Sequence, residues 1–324
     1  MKVTILDDNL DAIRHLPSYR KLAGHDVKIW NDHTKDVDTL AGRLADTEAL
    51  VLIRERTPIR APLIERLPKL RLISQRSVYP HIDVEACTRC GVIVSSDLHP
   101  GRPSFATAEL TWGLVIAAMR GIPQQMAALK AGRWQTMLGT AARGRTLGIL
   151  GYGRIGGAVA GYGRAFGMKV LAWGRERSQE RARADGHEAV AKEALFERSD
   201  VVSVHLRATK DTLGLVTAAD LARMKPTALF VNTSRASVVA PGALVAALKA
   251  GRPGMAAVDV YEEEPVLGGN HPLLKMDNVV CTPHLGYVER DGLESAFDAI
   301  FDQVLAYGQG RPINVVNPEV LEQR

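Results

Sequence analysis

The strongest constraint on how this chain folds is an apolar segment that leads directly into three spaced glycines. Residues 146–150 are typical of a buried strand, and Gly151, Gly153 and Gly156 follow them with the spacing GxGxxG. In a strand–turn–helix unit the first glycine permits the turn, the second lets a pyrophosphate approach the backbone, and the third lets helix and sheet pack closely. The segment therefore predicts a dinucleotide-binding unit. By itself it does not identify the dinucleotide or the reaction.

Around this segment, short apolar runs alternate with helical stretches, which predicts an α/β protein with mostly parallel sheets. Expected strands in the first part of the chain span 3–6, 27–30, 49–53, 70–74 and 92–95. Those in the second part span 146–150, 168–173, 201–206, 228–232, 256–260 and 279–281. Turn-forming residues between Leu98 and Ser104 mark the expected crossing between two domains. A mostly apolar helix over 105–120, with Ser104 as its N-cap, should follow.

Composition limits the class of protein further. The 324 residues suffice for two domains, and a hydrophobic content of 46% can supply a core for each. The net charge is +5, but basic and acidic residues are interspersed, so we expect no nucleic-acid partner. The apolar run at 110–119 is too short to cross a bilayer, and we expect no membrane association.

The three cysteines, Cys87, Cys90 and Cys281, are too few and too unevenly spaced for a disulfide framework. Cys87 and Cys90 form a CxxC pair, but no further ligands follow at zinc-finger spacing, so we expect no metal. The N-terminal segment also lacks the apolar core of a signal peptide. These features together predict a location in the reducing cytoplasm.

Three predicted strands end in polar segments, at 232–235, 259–265 and 282–286, and parallel sheets bind ligands at such strand ends. The guanidinium of Arg235 can bind a carboxylate through two hydrogen bonds. His284 can supply a proton near neutral pH, and Glu264 can orient its imidazole. Taken singly, each residue also suits a structural role in a loop or core. Together they favour catalysis.

In this order behind GxGxxG, the segments resemble the D-isomer-specific 2-hydroxyacid dehydrogenase family, which includes glyoxylate/hydroxypyruvate reductases and phosphoglycerate dehydrogenases. The similarity covers nearly the whole chain. It implies a Rossmann-type domain at 99–286, a smaller flavodoxin-like substrate domain at 1–98 and 287–324, and an active site in the interdomain cleft. It also implies a homodimer that uses the helix at 105–120, and NAD(P)-dependent hydride transfer between nicotinamide C4 and the C2 carbonyl of a small 2-keto acid.

Within that resemblance, the catalytic residues are Arg235, which binds the substrate carboxylate, and His284 with Glu264, which form a proton relay. Formate dehydrogenases of the superfamily usually carry glutamine at the position of Glu264, so the acid favours keto-acid chemistry. Two alternatives stay open. One is a dinucleotide-sensing, corepressor-like interaction protein with the same fold. The other is a phosphoglycerate dehydrogenase, which needs an additional phosphate site.

Departures from the family pattern bear on specificity. The loop after the fourth strand normally contains closely spaced glycines, but this chain has other residues there. Besides Arg235 and His284, the expected substrate-binding residues are therefore Arg76, Ser77, Val78 and Tyr79. Ala236 also replaces the usual glycine after Arg235, which would strain the loop if that residue needed a positive φ.

The acid that usually binds the ribose 2′-hydroxyl of NAD is replaced by Gly174. Its absence removes repulsion against a 2′-phosphate, so we favour NADP(H) over NAD(H). The alternative is that nearby arginines only cover a helix start and NAD binds without the acid. Residues expected at the 2′-phosphate are Arg175, Arg177, Ser178 and Arg207. The other expected cofactor contacts, besides the three glycines, are Arg154, Ile155, His205, Thr233 and Asp259.

Overall fold

The computed structural model describes residues 1–98 and 105–323. The chain divides into two compact units: unit 1 comprises Met1–Pro103 and Glu289–Arg324, and unit 2 comprises Ser104–Val288. Most of the predicted crossing segment, including the predicted N-cap Ser104, lies outside the described residues. Within the described ranges, no helix is both long and apolar enough to span a membrane.

The elements are numbered along the chain. The strands are β1 (Lys2–Ile5), β2 (Asp26–Ile29), β3 (Ala49–Val51), β4 (Leu72–Arg76), β5 (Ile93–Asp97), β6 (Thr146–Leu150), β7 (Lys169–Trp173), β8 (Glu188–Ala189), β9 (Val201–Val204), β10 (Leu229–Asn232), β11 (Met255–Val258) and β12 (Val279–Cys281). The helices are α1 (Val37–Leu44), α2 (Ala61–Ile64), α3 (Val84–Arg89), α4 (Ala106–Arg120), α5 (Ile122–Lys130), α6 (Arg154–Ala165), α7 (Glu176–Ala184), α8 (Lys192–Arg198), α9 (Ala218–Arg223), α10 (Ala243–Lys249) and α11 (Arg290–Gly308).

Unit 1 is built on a five-stranded parallel sheet with the order β2-β1-β3-β4-β5, which is the flavodoxin-like order. Side chains along each strand alternate between two buried clusters. Leu50, for example, faces one cluster, while Val51 faces the other, to which α11 contributes Phe297 and Phe301. Burial on both faces explains why the strands are almost wholly apolar rather than alternating.

Unit 2 contains a seven-stranded parallel sheet with the order β12-β11-β10-β9-β6-β7-β8. The chain winds outward from β6 in one direction through β7 and β8, and in the other through β9 to β12. This is the doubly wound Rossmann arrangement, and its strand order reverses between β6 and β9. The predicted fold class, a Rossmann-type sheet together with a smaller flavodoxin-like sheet, is confirmed.

The sequence predicts no helix directly after α4, but the structure contains one there. Gly121 adopts φ 58° and ends α4 with a left-handed residue, and the next helix, α5, begins at once with a proline in its first turn. A Gly-Ile-Pro sequence is typical of a turn, but proline is also tolerated at the start of a helix, where its missing N–H is not needed. A short strand, β8, and two surrounding helices, α7 and α8, were likewise not predicted.

Candidate active site

The glycine loop follows β6 at the point where the strand order of unit 2 reverses. Gly151 has φ +99°, and a Cβ atom there would lie 2.7 Å from the carbonyl oxygen of His205, which follows β9. A Cβ on Gly156 would lie 2.3 Å from the carbonyl oxygen of Gly151. Both positions therefore exclude any larger residue. The first glycine and His205, both expected at the cofactor, lie side by side.

Gly153, the middle glycine of the loop, is surrounded by open space instead. No described atom other than its own neighbours in the chain lies within 4 Å of a Cβ built on Gly153. Gly153 is the N-cap of α6, which makes no side-chain cap bond, so the backbone N–H groups at Arg154 and Ile155 begin the helix beside open space. A helix start with accessible N–H groups suits a pyrophosphate, and these residues fit the phosphate part of a dinucleotide.

The expected 2′-phosphate residues lie where β7 meets α7. A Cβ on Gly174 would approach the Cβ of Ser178 to 3.1 Å, so an acid at this position would require a local shift. Arg175 and Arg177 are exposed at the start of α7. Arg175 Nη2 lies 3.6 Å from Asp211 Oδ2, in the segment after β9 that also carries the exposed Arg207. The end of β7 thus presents two exposed arginines, and the exposed acids Glu176 and Asp211 lie beside them.

Asn232 shapes the loop that carries Arg235. Its side-chain oxygen accepts hydrogen bonds of 3.0 Å from both the amide and the hydroxyl of Ser234, and its Nδ2 donates to the carbonyl oxygen of Arg235 at 3.0 Å. Arg235 Nη1 donates to the carbonyl oxygen of Ser234 at 2.8 Å. Ala236 opens the 3₁₀ turn Ala236–Val238 and avoids the left-handed region, so replacing the usual glycine causes no backbone strain.

Glu264 and His284 form a direct pair. Oε2 of Glu264 lies 2.6 Å from Nδ1 of His284, and Oε1 accepts a 3.0 Å hydrogen bond from the amide of Tyr261. Burial pushes the pKa of Glu264 upward, but the bond and charge of His284, the Tyr261 amide and the positive charge of Arg235 together bring it below its usual value. Glu264 is therefore ionised, and all three predicted catalytic residues meet in unit 2.

Asp259 is fully buried beneath the loop of His284. Its Oδ1 accepts from the hydroxyl of Thr282 at 2.6 Å and from the amide of Leu285 at 2.7 Å, and its Oδ2 accepts from the amide of Gly286 at 2.9 Å. Burial raises the pKa of Asp259, while these hydrogen bonds oppose the rise. The carboxylate anchors the loop in which His284 takes the unfavourable φ of 54°.

Two further residues expected at the cofactor make internal hydrogen bonds. Nε2 of His205 lies 2.9 Å from the hydroxyl of Ser203, and burial lowers the pKa of His205 to about 3, so its ring is neutral. The buried hydroxyl of Thr233 lies 2.7 Å from that of Thr111 on α4. Sequence reasoning missed Thr111 because 122 residues separate the partners.

The loop expected to bind substrate follows β4 in unit 1. Arg76 Nε lies 3.5 Å from Asp97 Oδ2, Val78 is exposed, and Tyr79 packs against the core. Ser77 adopts φ 86°, a conformation that suits glycine. The fully buried Gln75, to which we assigned no role, donates from Nε2 to the carbonyl oxygen of Ser77 at 2.9 Å and so shapes the loop.

Across the described ranges, no group of three or more His, Cys, Asp or Glu side chains is arranged to hold a metal ion. The polar chemistry of unit 2 instead consists of a guanidinium, a carboxylate–imidazole pair and a glycine loop at the carboxyl ends of parallel strands. These parts define a dehydrogenase of the doubly wound α/β class that acts on a carboxylate-bearing substrate.

Comparison with known proteins gives the family. Residues 112–286 match the model of the D-isomer specific 2-hydroxyacid dehydrogenase NAD binding domain. A glyoxylate reductase of Aeropyrum pernix is 39% identical over 313 residues, which cover 93% of this chain and 92% of that protein. The chain belongs to the D-isomer-specific 2-hydroxyacid dehydrogenase family. It is an oxidoreductase that acts on the CH–OH group of 2-hydroxy acids and uses a nicotinamide dinucleotide, so the predicted family and enzyme class are confirmed.

Two solved structures and one further sequence relative are also similar to this chain. A Ralstonia solanacearum protein, provisionally described as a D-3-phosphoglycerate dehydrogenase oxidoreductase, has a TM-score of 0.93 and 53% identity over 99% of this chain and 98% of its own. A phosphoglycerate oxidoreductase of Vibrio cholerae has a TM-score of 0.91 and 47% identity over 96% of this chain and 99% of its own. A D-3-phosphoglycerate dehydrogenase of Archaeoglobus fulgidus is 37% identical, but the match covers only 52% of that longer protein.

Proposed function

We propose that this enzyme works mainly as a 2-keto acid reductase in which Arg235 binds the substrate carboxylate, His284 donates a proton to the carbonyl oxygen, and Glu264 orients His284. The proposal rests chiefly on the 2.6 Å contact between Glu264 and His284 beside the charge of Arg235. A keto acid needs two groups at once, a cation for its carboxylate and a proton donor for its carbonyl oxygen.

The proposed chemistry uses each group for one task. The nicotinamide dinucleotide, when bound, supplies the hydride that reduces C2 of the keto acid. Arg235 holds the substrate carboxylate through its planar fork and polarises the neighbouring carbonyl. Because Nδ1 of His284 faces Glu264, Nε2 is the nitrogen that donates to the carbonyl oxygen. The ionised Glu264 stabilises the protonated imidazole before that transfer.

For the cofactor we propose that 99–286 form the dinucleotide-binding domain, and that 1–98 and 287–324 form the substrate domain. The glycine loop would hold the pyrophosphate, flanked by Arg154, Ile155 and His205, while Thr233 and Asp259 would lie toward the nicotinamide. We propose a preference for NADP(H), supported by the exposed arginines at the end of β7 and the tight space at Gly174. Residues proposed at the 2′-phosphate are Arg175, Arg177, Ser178 and Arg207.

The deciding experiment is a substrate panel followed by loss of absorbance at 340 nm. Glyoxylate, hydroxypyruvate, pyruvate, phenylpyruvate and 3-phosphohydroxypyruvate are each tested with NADH and NADPH. We expect turnover with at least one keto acid, a higher kcat/KM with NADPH, and a steep rise in the keto acid KM for Arg235→Ala. No turnover with any pair would contradict the reductase proposal and favour a dinucleotide sensor. Turnover confined to 3-phosphohydroxypyruvate would favour the phosphoglycerate dehydrogenase alternative.

The cofactor preference has its own test. In Arg177→Ala, kcat/KM with NADPH should fall by about 10-fold, the equivalent of one lost charge-assisted contact, while the value with NADH stays close to wild type. The matched control is Arg183→Ala, because Arg183 is exposed on the same helix but lies within hydrogen-bonding distance of Glu176 and Gln179 instead. Equal loss with both cofactors would contradict the 2′-phosphate assignment.

We also propose a homodimer. The residues of α4 that were expected at the interface, such as Trp112 and Val115, are buried within unit 2. Several exposed apolar side chains lie just beyond α4, where Gln125 fixes the segment at 136–137 through hydrogen bonds to Thr136 and Met137. They are Ile122, Met126, Leu129, Trp134 and Leu138, the last with 98% of its surface exposed. Apolar patches of this kind mark protein interfaces.

A second copy of the chain is the proposed partner for this patch. Light scattering should therefore give twice the mass of one chain for the wild type and a smaller mass for Leu138→Asp. A wild-type monomer would contradict the proposal.

We also propose a cytoplasmic location, which is supported by three free cysteines in 324 residues. Cell fractionation tests it, and recovery outside the cytoplasm would contradict it.

A further inference from the structure

The proposed catalytic groups are carried by loops that follow strands which are not neighbours. Arg235 follows β10 and His284 follows β12, and β11 lies between those two strands in the sheet. One intervening strand separates the two loop bases by about 10 Å. A keto acid carries its carboxylate and its carbonyl on adjacent carbons, so the two loops must be held at one fixed separation for both groups to reach the same substrate.

Two threonines one turn apart on α4 connect these loops. The hydroxyl of Thr107 donates to the carbonyl oxygen of Gly286, in the loop of His284, at 2.7 Å. The hydroxyl of Thr111 donates to the carbonyl oxygen of Thr107 at 2.6 Å and lies 2.7 Å from the hydroxyl of Thr233, in the loop of Arg235. Positions four residues apart share one face of a helix, which explains how one helix reaches both loops.

The direction of each bond follows from counting hydrogens. A threonine hydroxyl has only one hydrogen to donate, and Thr111 gives its hydrogen to the carbonyl of Thr107. Thr233 must therefore donate to Thr111. The hydrogen bonds then form a continuous series from the Arg235 loop, through α4, to the His284 loop, with no hydroxyl pair left competing for one proton.

Thr111 is fully buried, so its hydroxyl is not accessible to a substrate. The packing around Gly286, in the loop of His284, is also tight. A Cβ on Gly286 would lie 3.3 Å from Thr107 Oγ1 and 3.3 Å from Asp259 Oδ2. The backbone of Gly286 is thus enclosed by α4 on one side and by the Asp259 carboxylate on another. The loop cannot move relative to α4 without breaking the partly buried hydrogen bond from Thr107 to Gly286.

We propose that Thr107 and Thr111 are positioning residues that fix the spacing between Arg235 and His284. This inference rests on the proposed reductase function, since it assumes that both groups act on one substrate. The two threonines bind neither the carboxylate nor the transferred proton. They keep the guanidinium and the imidazole in register by fastening both loops to the same face of one rigid helix.

The test is Thr111→Val, which keeps the size of the side chain but removes the hydroxyl. We expect kcat/KM with glyoxylate or hydroxypyruvate to fall by about 10-fold, because small displacements of reacting groups cost rate steeply. The dissociation constant of NADPH, measured by fluorescence, should change less than kcat/KM does, because Thr111 lies outside the glycine loop and reaches the proposed nicotinamide region only through Thr233. Thr111→Ser, which keeps the hydroxyl, should restore most of the activity.

The matched control is Thr4→Val. Thr4 and Thr47 in unit 1 form another buried threonine pair with the same 2.7 Å separation between hydroxyls. Both valine variants should lose a comparable amount of thermal stability, but only Thr111→Val should lose kcat/KM. If the two variants lose activity equally, or if Thr111→Val keeps full activity, the positioning role is wrong.

Binding of oxamate, a planar keto acid analogue, separates this inference from the reductase proposal, because it requires no turnover. We expect Thr111→Val to weaken oxamate binding to the NADPH complex by about 10-fold. Unchanged oxamate affinity in this variant would overturn the positioning role even if the enzyme is a reductase. Absence of turnover in the wild type would instead contradict the proposed function.

Discussion

Two of the carboxylate–imidazole pairs in this protein join a carboxylate oxygen to Nδ1 of a histidine, and one of these lies in each unit. In unit 1, Asp7 Oδ1 lies 2.8 Å from Nδ1 of His33, just after β1. In unit 2, Glu264 Oε2 lies 2.6 Å from Nδ1 of His284, beyond β11 and β12. The first pair is closed off, with side chains 3% and 8% exposed, whereas Glu264 and His284 are 32% and 26% exposed.

The two pairs differ in what else the carboxylate meets. The second oxygen of Asp7 accepts a 2.6 Å hydrogen bond from the buried hydroxyl of Thr57, which joins two loops of the flavodoxin-like sheet. Glu264 has the positive charge of Arg235 in its surroundings. Near Asp7, Nη1 of Arg56 donates to the backbone carbonyl oxygen of Asp7 at 3.5 Å. A parallel sheet places polar residues at its carboxyl edge in both units, so we propose that accessibility is what allows the Glu264–His284 pair to act on a substrate. The fold alone therefore does not distinguish the role of the Asp7–His33 pair from that of the Glu264–His284 pair.

The largest difference between the pairs should appear in turnover. We expect His284→Ala to lower kcat by about 10² to 10⁴-fold, the usual contribution of a general acid, while NADPH still binds. Steady-state kinetics and cofactor fluorescence measure the two quantities. The control is His271→Ala, because His271 also pairs with a glutamate, Glu262, at 3.0 Å in the same unit. Full activity of His284→Ala would remove the basis for the catalytic assignment.

The buried Asp7–His33 pair should instead affect the stability of the folded protein. Asp7→Asn leaves the side chain with one fewer acceptor for Thr57 and His33, so we expect the free energy of unfolding to fall by about 1–3 kcal/mol. Urea titration measures this loss, and kcat of the folded enzyme should stay near the wild-type value. A loss of kcat as large as that of His284→Ala, without a loss of stability, would show that the two pairs are functionally alike.

The same contrast explains what sequence could and could not predict. Arg235, Glu264 and His284 were predicted because each stands in a short motif directly after a strand. Asp7 and His33 are 26 residues apart and follow different strands, so no local pattern marks them as partners. The parallel character of both sheets was also predicted from the alternation of elements, whereas two-residue β8 is too short to show a period.

Side-chain hydrogen bonds across the sheet were the least predictable feature. Gln75 shapes its loop through the carbonyl of Ser77, a contact that depends on β4 and β5 being neighbours, since Nε2 also donates to Ser96 at 2.8 Å. Thr111 on α4 was visible only as one polar position in an apolar helix. Such contacts depend on the three-dimensional packing of elements, which neither spacing nor hydrophobicity specifies.

A smaller effect is expected in the pH dependence of the melting temperature. The pKa of Glu264 is lowered in the folded protein, so its ionised form stabilises the fold above the unfolded pKa, near 4.5, and that stability is lost as the pH falls through the folded value. The melting temperature of wild type should therefore exceed that of Glu264→Gln most near neutral pH, and the difference should shrink below about pH 4.5. Thermal melts from pH 3 to 8 measure it.

The control for this pH dependence is Glu262→Gln. Glu262 is 54% exposed in its pair with His271, so screening by water leaves little stability to lose. Its melting temperature should stay close to wild type throughout. A difference between wild type and Glu264→Gln that grew as the pH fell would contradict a lowered pKa for Glu264.

The smallest expected effect is a change in stability at Ser77. It distinguishes a role of this residue in shaping the backbone from a role in binding substrate. Asp7 and His284 both adopt positive φ, at 65° and 54°, and so does Ser77 at 86°. A left-handed residue other than glycine costs about 1–2 kcal/mol, while glycine adds about 0.4–1 kcal/mol of unfolded-state entropy. Ser77→Gly should therefore gain roughly 0.5–1 kcal/mol in unfolding free energy.

The control is Ala299→Gly, which should lose stability because Ala299 lies within the right-handed helix α11 of the same unit. Urea titration of both variants gives the sign of each change. A gain in stability with unchanged kcat/KM would mean that the left-handed turn at Ser77 serves only to shape the chain, as the buried Asp7 pair does. A gain accompanied by a higher keto acid KM would mean that the Ser77 side chain contributes to binding, and would place this loop of unit 1 with Glu264 and His284 among the residues that act on substrate.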